Sequence, residues 1–128
     1  MKLLIREVGS TETGAIVHQS DEHFASSIGY VEARSALGAA ARTGRVGRAR
    51  QDQSRSELER IWRGVDVVQL DDRLVQSAGD VSEDRRLRAG DAIHLASALV
   101  VDEPELVFVT WDHELARAAR EVGLAVAP

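Results

Sequence analysis

The sequence predicts an α/β fold with a largely parallel sheet. Two observations point there. Short valine-rich runs, 65–70 and 106–110, alternate with segments of helical period, and strands that alternate with helices pair in parallel because each connection must cross back over the sheet. At 128 residues, the chain is one domain with enough apolar residues for a core that needs no staple.

The elements follow in order. Residues 11–22 read as a helix carrying Ile16 and Val17, with Asp21 and Glu22 near its end, and 23–27 as a short strand. A helix starts at Ile28, where Ile28, Val31, Ala36, Leu37, Ala40 and Ala41 recur at roughly helical period, and it stops near the two glycines of RTGRVGR. A second, arginine-rich helix is expected from about Ser54 to Arg63, with Leu58, Ile61 and Trp62 on one face and Gly64 as its stop. The run 65–70 is a strand by its valines. Asp71 is placed to cap a helix bearing Leu74, Val75 and Ala78, which Gly79 would end, followed by a charged loop over 80–90. From Asp91 to Val101 the chain is almost wholly apolar apart from His94 and Ser97, as in a helix buried on most sides. A strand at 106–110, a helix from about Asp112 to Val122, Gly123 as its stop and a last strand at 124–127 complete the pattern.

Composition narrows the functional classes. With 44% hydrophobic and 29% charged residues, the chain has the makeup of a soluble globular protein, and no apolar run approaches the length of a membrane span. The opening MKLLIREVGS has too short an apolar stretch for a signal-peptide core, so the expected location is cytoplasmic. Zero cysteines exclude disulfides and thiolate metal sites, and the four histidines show no zinc spacing. Any metal would be bound through oxygen. The net charge of −5 is unevenly spread, residues 1–64 summing to +2 and 65–128 to −7. Eight arginines lie between Arg34 and Arg63 against Asp52, Glu57 and Glu59. Such a basic face suits a polyanion, and it equally suits a solvated helical hairpin laced with ion pairs.

Three acids stand out: Glu32, Asp91 and Asp112, each at the head or centre of an apolar segment. Carboxylates there are costly to desolvate unless paired, hydrogen-bonded or set on a cation. Mg²⁺ or Mn²⁺ would account for all three, because these hard cations take oxygen ligands and keep waters, one of which can attack a phosphodiester. Asp112 follows directly on a strand, where ligands bind in parallel sheets, and Thr110 beside it could hydrogen-bond a carboxylate or a bound water. Both Asp112 and Asp91 also read as simple helix caps. Glu32 has Ile28 and Ala36 one turn to either side, which places it on or near the apolar stripe.

The segments SSIGYVEARSALGAAARTGR, LRAGDAIHLASAL and FVTWDHELARAAREVGLAVAP, nearly half the chain, closely resemble in order and spacing the PIN-domain ribonucleases, in particular the VapC-type toxins of bacterial toxin–antitoxin pairs. The resemblance implies a PIN-like three-layer α/β/α domain in which four separated acids hold Mg²⁺ or Mn²⁺ and cut RNA. By motif, Glu32 corresponds to the family's helix glutamate, Asp91 to the aspartate of its DAxHLA segment and Asp112 to the acid after its VT strand, with Thr110 beside it. It further implies a homodimer and a VapB-type antitoxin whose chain blocks the acids, with Arg42, Arg45, Arg48 and Arg50 receiving either RNA or that partner.

The family's first acid has no counterpart here. In such toxins a short strand ending in aspartate precedes a phrase like SALVKLLIREPGS, and MKLLIREVGS matches its tail with Met1 where valine is usual. The expectation is a single domain over 1–128, truncated at its N-terminus, whose natural reading frame starts upstream. The rival reading is a catalytically impaired module that binds a partner without cutting, its acids serving as caps. A deoxyribonuclease is a third option, since nothing here reads a 2′-hydroxyl.

Overall fold

A computed structural model describes residues 10–128, with side chains from residue 14 onward. Among these residues the chain forms six helices and four short strands, the expected α/β class, in two compact units, Met1–Val67 and Val68–Pro128. Residues 1–9 of the opening segment, read as the tail of the family's first phrase, fall outside the described residues.

In the first unit, α1 (Ser10–Gln19) stops three residues before the predicted end. Ser20 Oγ turns back to donate to Ile16 O at 2.9 Å and His23 Nε2 donates to Val17 O at 2.9 Å, so Asp21 and Glu22 fall in the turn. β1 (Phe24–Ser26) leads into α2 (Ile28–Arg42). Thr43 closes α2, its N–H and its hydroxyl both donating to Ala39 O at 3.0 Å, and Gly44 takes the left-handed turn at φ 70°.

Helix α3 (Arg48–Trp62) begins six residues earlier than predicted. Residues 48–53 carry only one apolar side chain, Ala49, so there is no periodicity to read, yet Gln51 N–H already donates to Gly47 O at 2.9 Å. Buried Leu37 and Leu58 join the two helices, with Tyr30, Ala33 and Ile61 packed against them. A polar clasp reinforces this contact. Tyr30 OH donates a hydrogen bond to Glu59 Oε1, Arg34 Nη1 donates to Tyr30 OH at 2.8 Å and lies 3.7 Å from Glu59 Oε1, and the Tyr30 and Trp62 ring centroids are 5.5 Å apart. After Gly64 the chain enters β2 (Asp66–Val68), which pairs with β1, and Asp66 N–H donates to His23 O at 2.8 Å.

In the second unit, Asp71 caps α4 (Asp72–Arg85) as predicted, its Oδ1 accepting from Leu74 N–H at 2.8 Å. Gly79 does not end this helix. Leu74, Ala78 and Val81 continue one apolar face past it, and much of the predicted charged loop is therefore helical. The stop is Arg86, in left-handed backbone at φ 56°, after which Ser82 Oγ donates to Leu87 O at 2.8 Å. α5 (Ala89–Leu99) starts two residues before the predicted Asp91. β3 (Val107–Val109) pairs in parallel with β4 (Ala125–Ala127), in the register Val107 to Ala125, Phe108 to Val126 and Val109 to Ala127. Between them lies α6 (His113–Glu121), and Gly123 at φ 90° turns the chain from α6 into β4.

Two apolar clusters hold this unit. One gathers Leu87, Ala92, Leu95, Leu115, Ala118 and Ala119 beneath Phe108, Leu124 and Val126, and the other gathers Leu74, Ala78 and Ala96. Outside them, Arg117 donates to Glu121 at 2.8 Å and to Glu114 at 3.1 Å, and Arg85 reaches Glu121 at 3.3 Å, which ties the end of α4 to α6. The hydrogen bonds that Arg117 donates to Glu121 and Glu114 raise its own pKa, and the one to Glu121 lowers that carboxyl's. No described helix is long and apolar enough to cross a membrane.

Candidate active site and the arginine groove

Asp112 is set by a strand that ends and a helix that begins. Its Oδ1 accepts from Leu115 N–H at 2.9 Å as the cap of α6, and its own N–H donates to Thr110 Oγ1 at 3.1 Å. Thr110 is in turn anchored to the sheet, its N–H donating to Ala127 O at 3.0 Å. The cap that sequence reasoning set against a ligand role is therefore present. It also fixes the carboxylate's direction, which serves a ligand role as well, since an oriented side chain has less freedom to lose on binding.

Asp91 lies half-buried in the first turn of α5. Both carboxylates thus stand at helix N-terminal ends, where the unpaired N–H groups and the helix dipole favour negative charge. Helices α5 and α6 share one apolar cluster through Ala92, Leu95, Leu115, Ala118 and Ala119, and that packing determines where their leading ends lie. His94 follows Asp91 one turn later and is half-buried.

Glu32 does not lie on the buried stripe. The face of α2 that packs is Ala33, Leu37 and Ala40, and Glu32, one position before Ala33, is turned about 100° away from it and is exposed. Its apolar neighbours at one turn's distance are Ile28, half-buried, and Ala36, also half-buried, at the margin of the packed face.

As donors, these carboxylates are of the right chemistry for Mg²⁺ or Mn²⁺, which prefer oxygen. Among the described residues no group of three acids or histidines is gathered closely enough to hold a metal. Mg²⁺ commonly uses only one or two carboxylates and completes its shell with substrate phosphate and water, and Asp91 and Asp112 meet that requirement in kind.

The arginines separate into two sets. Arg42 and Arg48 line a groove of about 670 Å³ between α2 and α3, together with Arg34, Arg55, Asp52 and Leu37. Arg45 and Arg50, expected beside them, are exposed but do not line it. Sequence reasoning omitted Arg34 and Arg55 from the binding set. The available signal was spacing, since Arg34 and Arg42, like Arg48 and Arg55, are about two helical turns apart and so share a face.

Residues 4–121 match the family model described as PIN domain. Over the whole chain the sequence is 37% identical to Ribonuclease VapC45 of Mycobacterium tuberculosis strain CDC 1551 / Oshkosh and to Ribonuclease VapC49 of strain ATCC 25618 / H37Rv, covering 89% of each. It is 32% identical to Ribonuclease VapC47 of the first strain, with 98% of this chain and 88% of that protein aligned. The chain belongs to the PIN-domain family and is a VapC-type member of it.

Proposed function

We propose that this protein is a metal-dependent endoribonuclease toxin that hydrolyses RNA phosphodiester bonds. The observation that carries the reading is the placement of Asp91 and Asp112 at the leading ends of two helices packed in one core, in a chain that matches proteins named ribonucleases along its whole length. Asp91 and Asp112 would hold Mg²⁺ or Mn²⁺, with water and substrate phosphate completing the shell. When bound, such a cation supplies a Lewis acid for the scissile phosphate and lowers the pKa of a water.

The chain's own residues do the rest. Thr110 and the cap hydrogen bond hold Asp112 in one direction with its Oδ1 engaged, which leaves Oδ2 as the atom to meet a ligand. Asp91 stands in the first turn of α5, where the helix dipole favours negative charge. A carboxylate of the set accepts the proton of the attacking water. A VapB-type antitoxin as inhibitor and a homodimer as the assembly belong to the same reading and rest on the family likeness.

The specific rival is a module that binds a partner without cutting. It is favoured by the cap itself, which gives Asp112 a complete structural role. Asp112→Asn separates the two readings, because asparagine caps a helix as well as aspartate does but carries no charge for a cation. The expected result is unchanged thermal stability with RNA cleavage in Mg²⁺ reduced roughly a hundredfold or more, and cleavage by the unmodified chain abolished by a chelator. Cleavage that survives both treatments would sink the metal-dependent reading, and a correctly folded chain that cuts no RNA at all would leave the binding module.

A further inference from the structure

The groove between α2 and α3 is not used by the chemistry above. Its lining holds Arg34, Arg42, Arg48 and Arg55 against a single acid, Asp52. Arg34 is engaged with Tyr30 and Glu59. Arg42, Arg48 and Arg55 are exposed and form no ion pair among the described residues. In a protein of net charge −5, three guanidinium groups left without carboxylates along one groove mark a surface that awaits an anion.

The groove's shape indicates which anion. Arg34 and Arg42 lie about 12 Å apart along α2, and Arg48 and Arg55 about 10 Å apart along α3, at about 1.5 Å per residue. Two rows of repeated positive charge match a polymer of repeated negative charge. The floor is small: Leu37, Gly38, Ala41 and Val46. A β-carbon at Gly38 would come 3.1 Å from the Arg42 guanidinium, so the absence of a side chain there lets Arg42 lie down along the helix instead of standing clear in solvent. The lining includes no aromatic residue, which removes the stacking platforms that read bases in single strands. It also offers no large apolar pocket of the kind that anchors a peptide partner.

We propose that the α2–α3 groove binds the sugar-phosphate backbone of single-stranded RNA through Arg42, Arg48 and Arg55, independently of base sequence. The inference rests on the RNA-directed reading above and adds a holding surface to it. Guanidinium forks bind phosphate oxygens two at a time, so the groove grips the chain while selection is left to other surfaces.

The test is fluorescence anisotropy of a labelled single-stranded RNA of about twelve nucleotides, titrated with protein in EDTA at a series of KCl concentrations. The unmodified chain is compared with R42Q/R48Q/R55Q, with the single variants R48Q and R55Q, and with R120Q as a charge-matched change on α6. Circular dichroism establishes that each is folded. The triple variant should bind roughly 10- to 50-fold more weakly near physiological salt, and the slope of log affinity against log salt should flatten by about 2, at about 0.7 per phosphate contact in single strands. Each single variant should lose about a third of that slope and R120Q none. Undiminished affinity and slope in the arginine variants, or no RNA binding by the unmodified chain, would overturn the proposal. A polyglutamate peptide that binds through these arginines when RNA does not would overturn it too and give the groove to an acidic protein partner. Cleavage in Mg²⁺ is scored separately. Arginine-dependent RNA binding by a chain that cuts nothing rejects the nuclease reading and retains the groove, whereas cleavage indifferent to the arginines does the reverse.

Discussion

Each of the two units is held together internally by its own means. In the second, alanine does much of the packing: Ala96, Ala118 and Ala119 are 0% exposed and Ala92 1%. Short side chains have no rotamers to choose among, so the apolar cluster that α5 and α6 share is built largely from groups of fixed shape. The acids sit at the leading ends of those helices. In the first unit the buried apolar contact is smaller, centred on Leu37 and Leu58, and a clasp of Tyr30, Arg34 and Glu59 completes it. Its surface is long arginine side chains. On the proposed reading, the charges that would hold a small ion stand at helix starts, and those that would follow a flexible polymer are carried on long stems.

Truncating each core tests that contrast most severely. Leu95→Ala, at a residue with no exposure, should lower unfolding free energy by about 3–5 kcal/mol in urea denaturation, whereas Leu37→Ala should cost about 2–3 kcal/mol, because the polar clasp persists when the leucine is cut back. Equal losses would mean that the clasp adds nothing to the hairpin. Tyr30→Phe removes only the hydroxyl that joins Arg34 to Glu59. It should cost about 1 kcal/mol, with the loss confined to hydrogen-exchange protection of α2 and α3. A variant as stable as the parent would leave the apolar contact alone responsible for the first unit.

The smallest expected effect concerns pH. Arg117 holds the Glu121 carboxyl below its ordinary value of 4.5, with Arg85 adding to the effect. A carboxyl depressed on folding stabilises the native state above its unfolded pKa, and that contribution is lost as pH falls through the folded value. Glu121→Gln should therefore melt slightly lower than the parent at pH 7, and the two melting curves should converge as the buffer is taken below about pH 4.5. Added salt should narrow the gap as well, because the cluster is exposed. A gap that widens in acid would show that Glu121 acts through something other than its charge.

The parts of the fold that could be read from the sequence are those with a local cause. Asp71 and Asp112 announce helix starts because a short acceptor side chain satisfies the first free N–H groups, and both do so here. The valine runs mark β2 and β3 for an equally local reason. The start of α3 could not be read from periodicity, since residues 48–53 present no apolar face, although Arg, Ala and Gln are good helix formers. Gly79 misled because glycine can end a helix but need not. The stop was assigned to Arg86, a residue type that carries no such signal. At the candidate site, residue types and chain positions were legible. The orientation of Glu32 was not, because its neighbours at one turn's distance flank the packed face of α2 without belonging to it. The arginines were visible as a cluster, but their division into a clasped Arg34 and three unpaired groove residues depends on where Glu59 and Tyr30 come to rest.

The alanine seam of α5 and α6 also bears on how such a chain can diverge. Ala118 and Ala119 are fully buried, so a larger side chain there must displace its neighbours, typically at about 1–3 kcal/mol. The groove arginines Arg42, Arg48 and Arg55 are exposed, where a change leaves packing nearly untouched. A lineage built this way keeps the helices that carry its acids under tight volume constraint and is free to vary the exposed arginine surface.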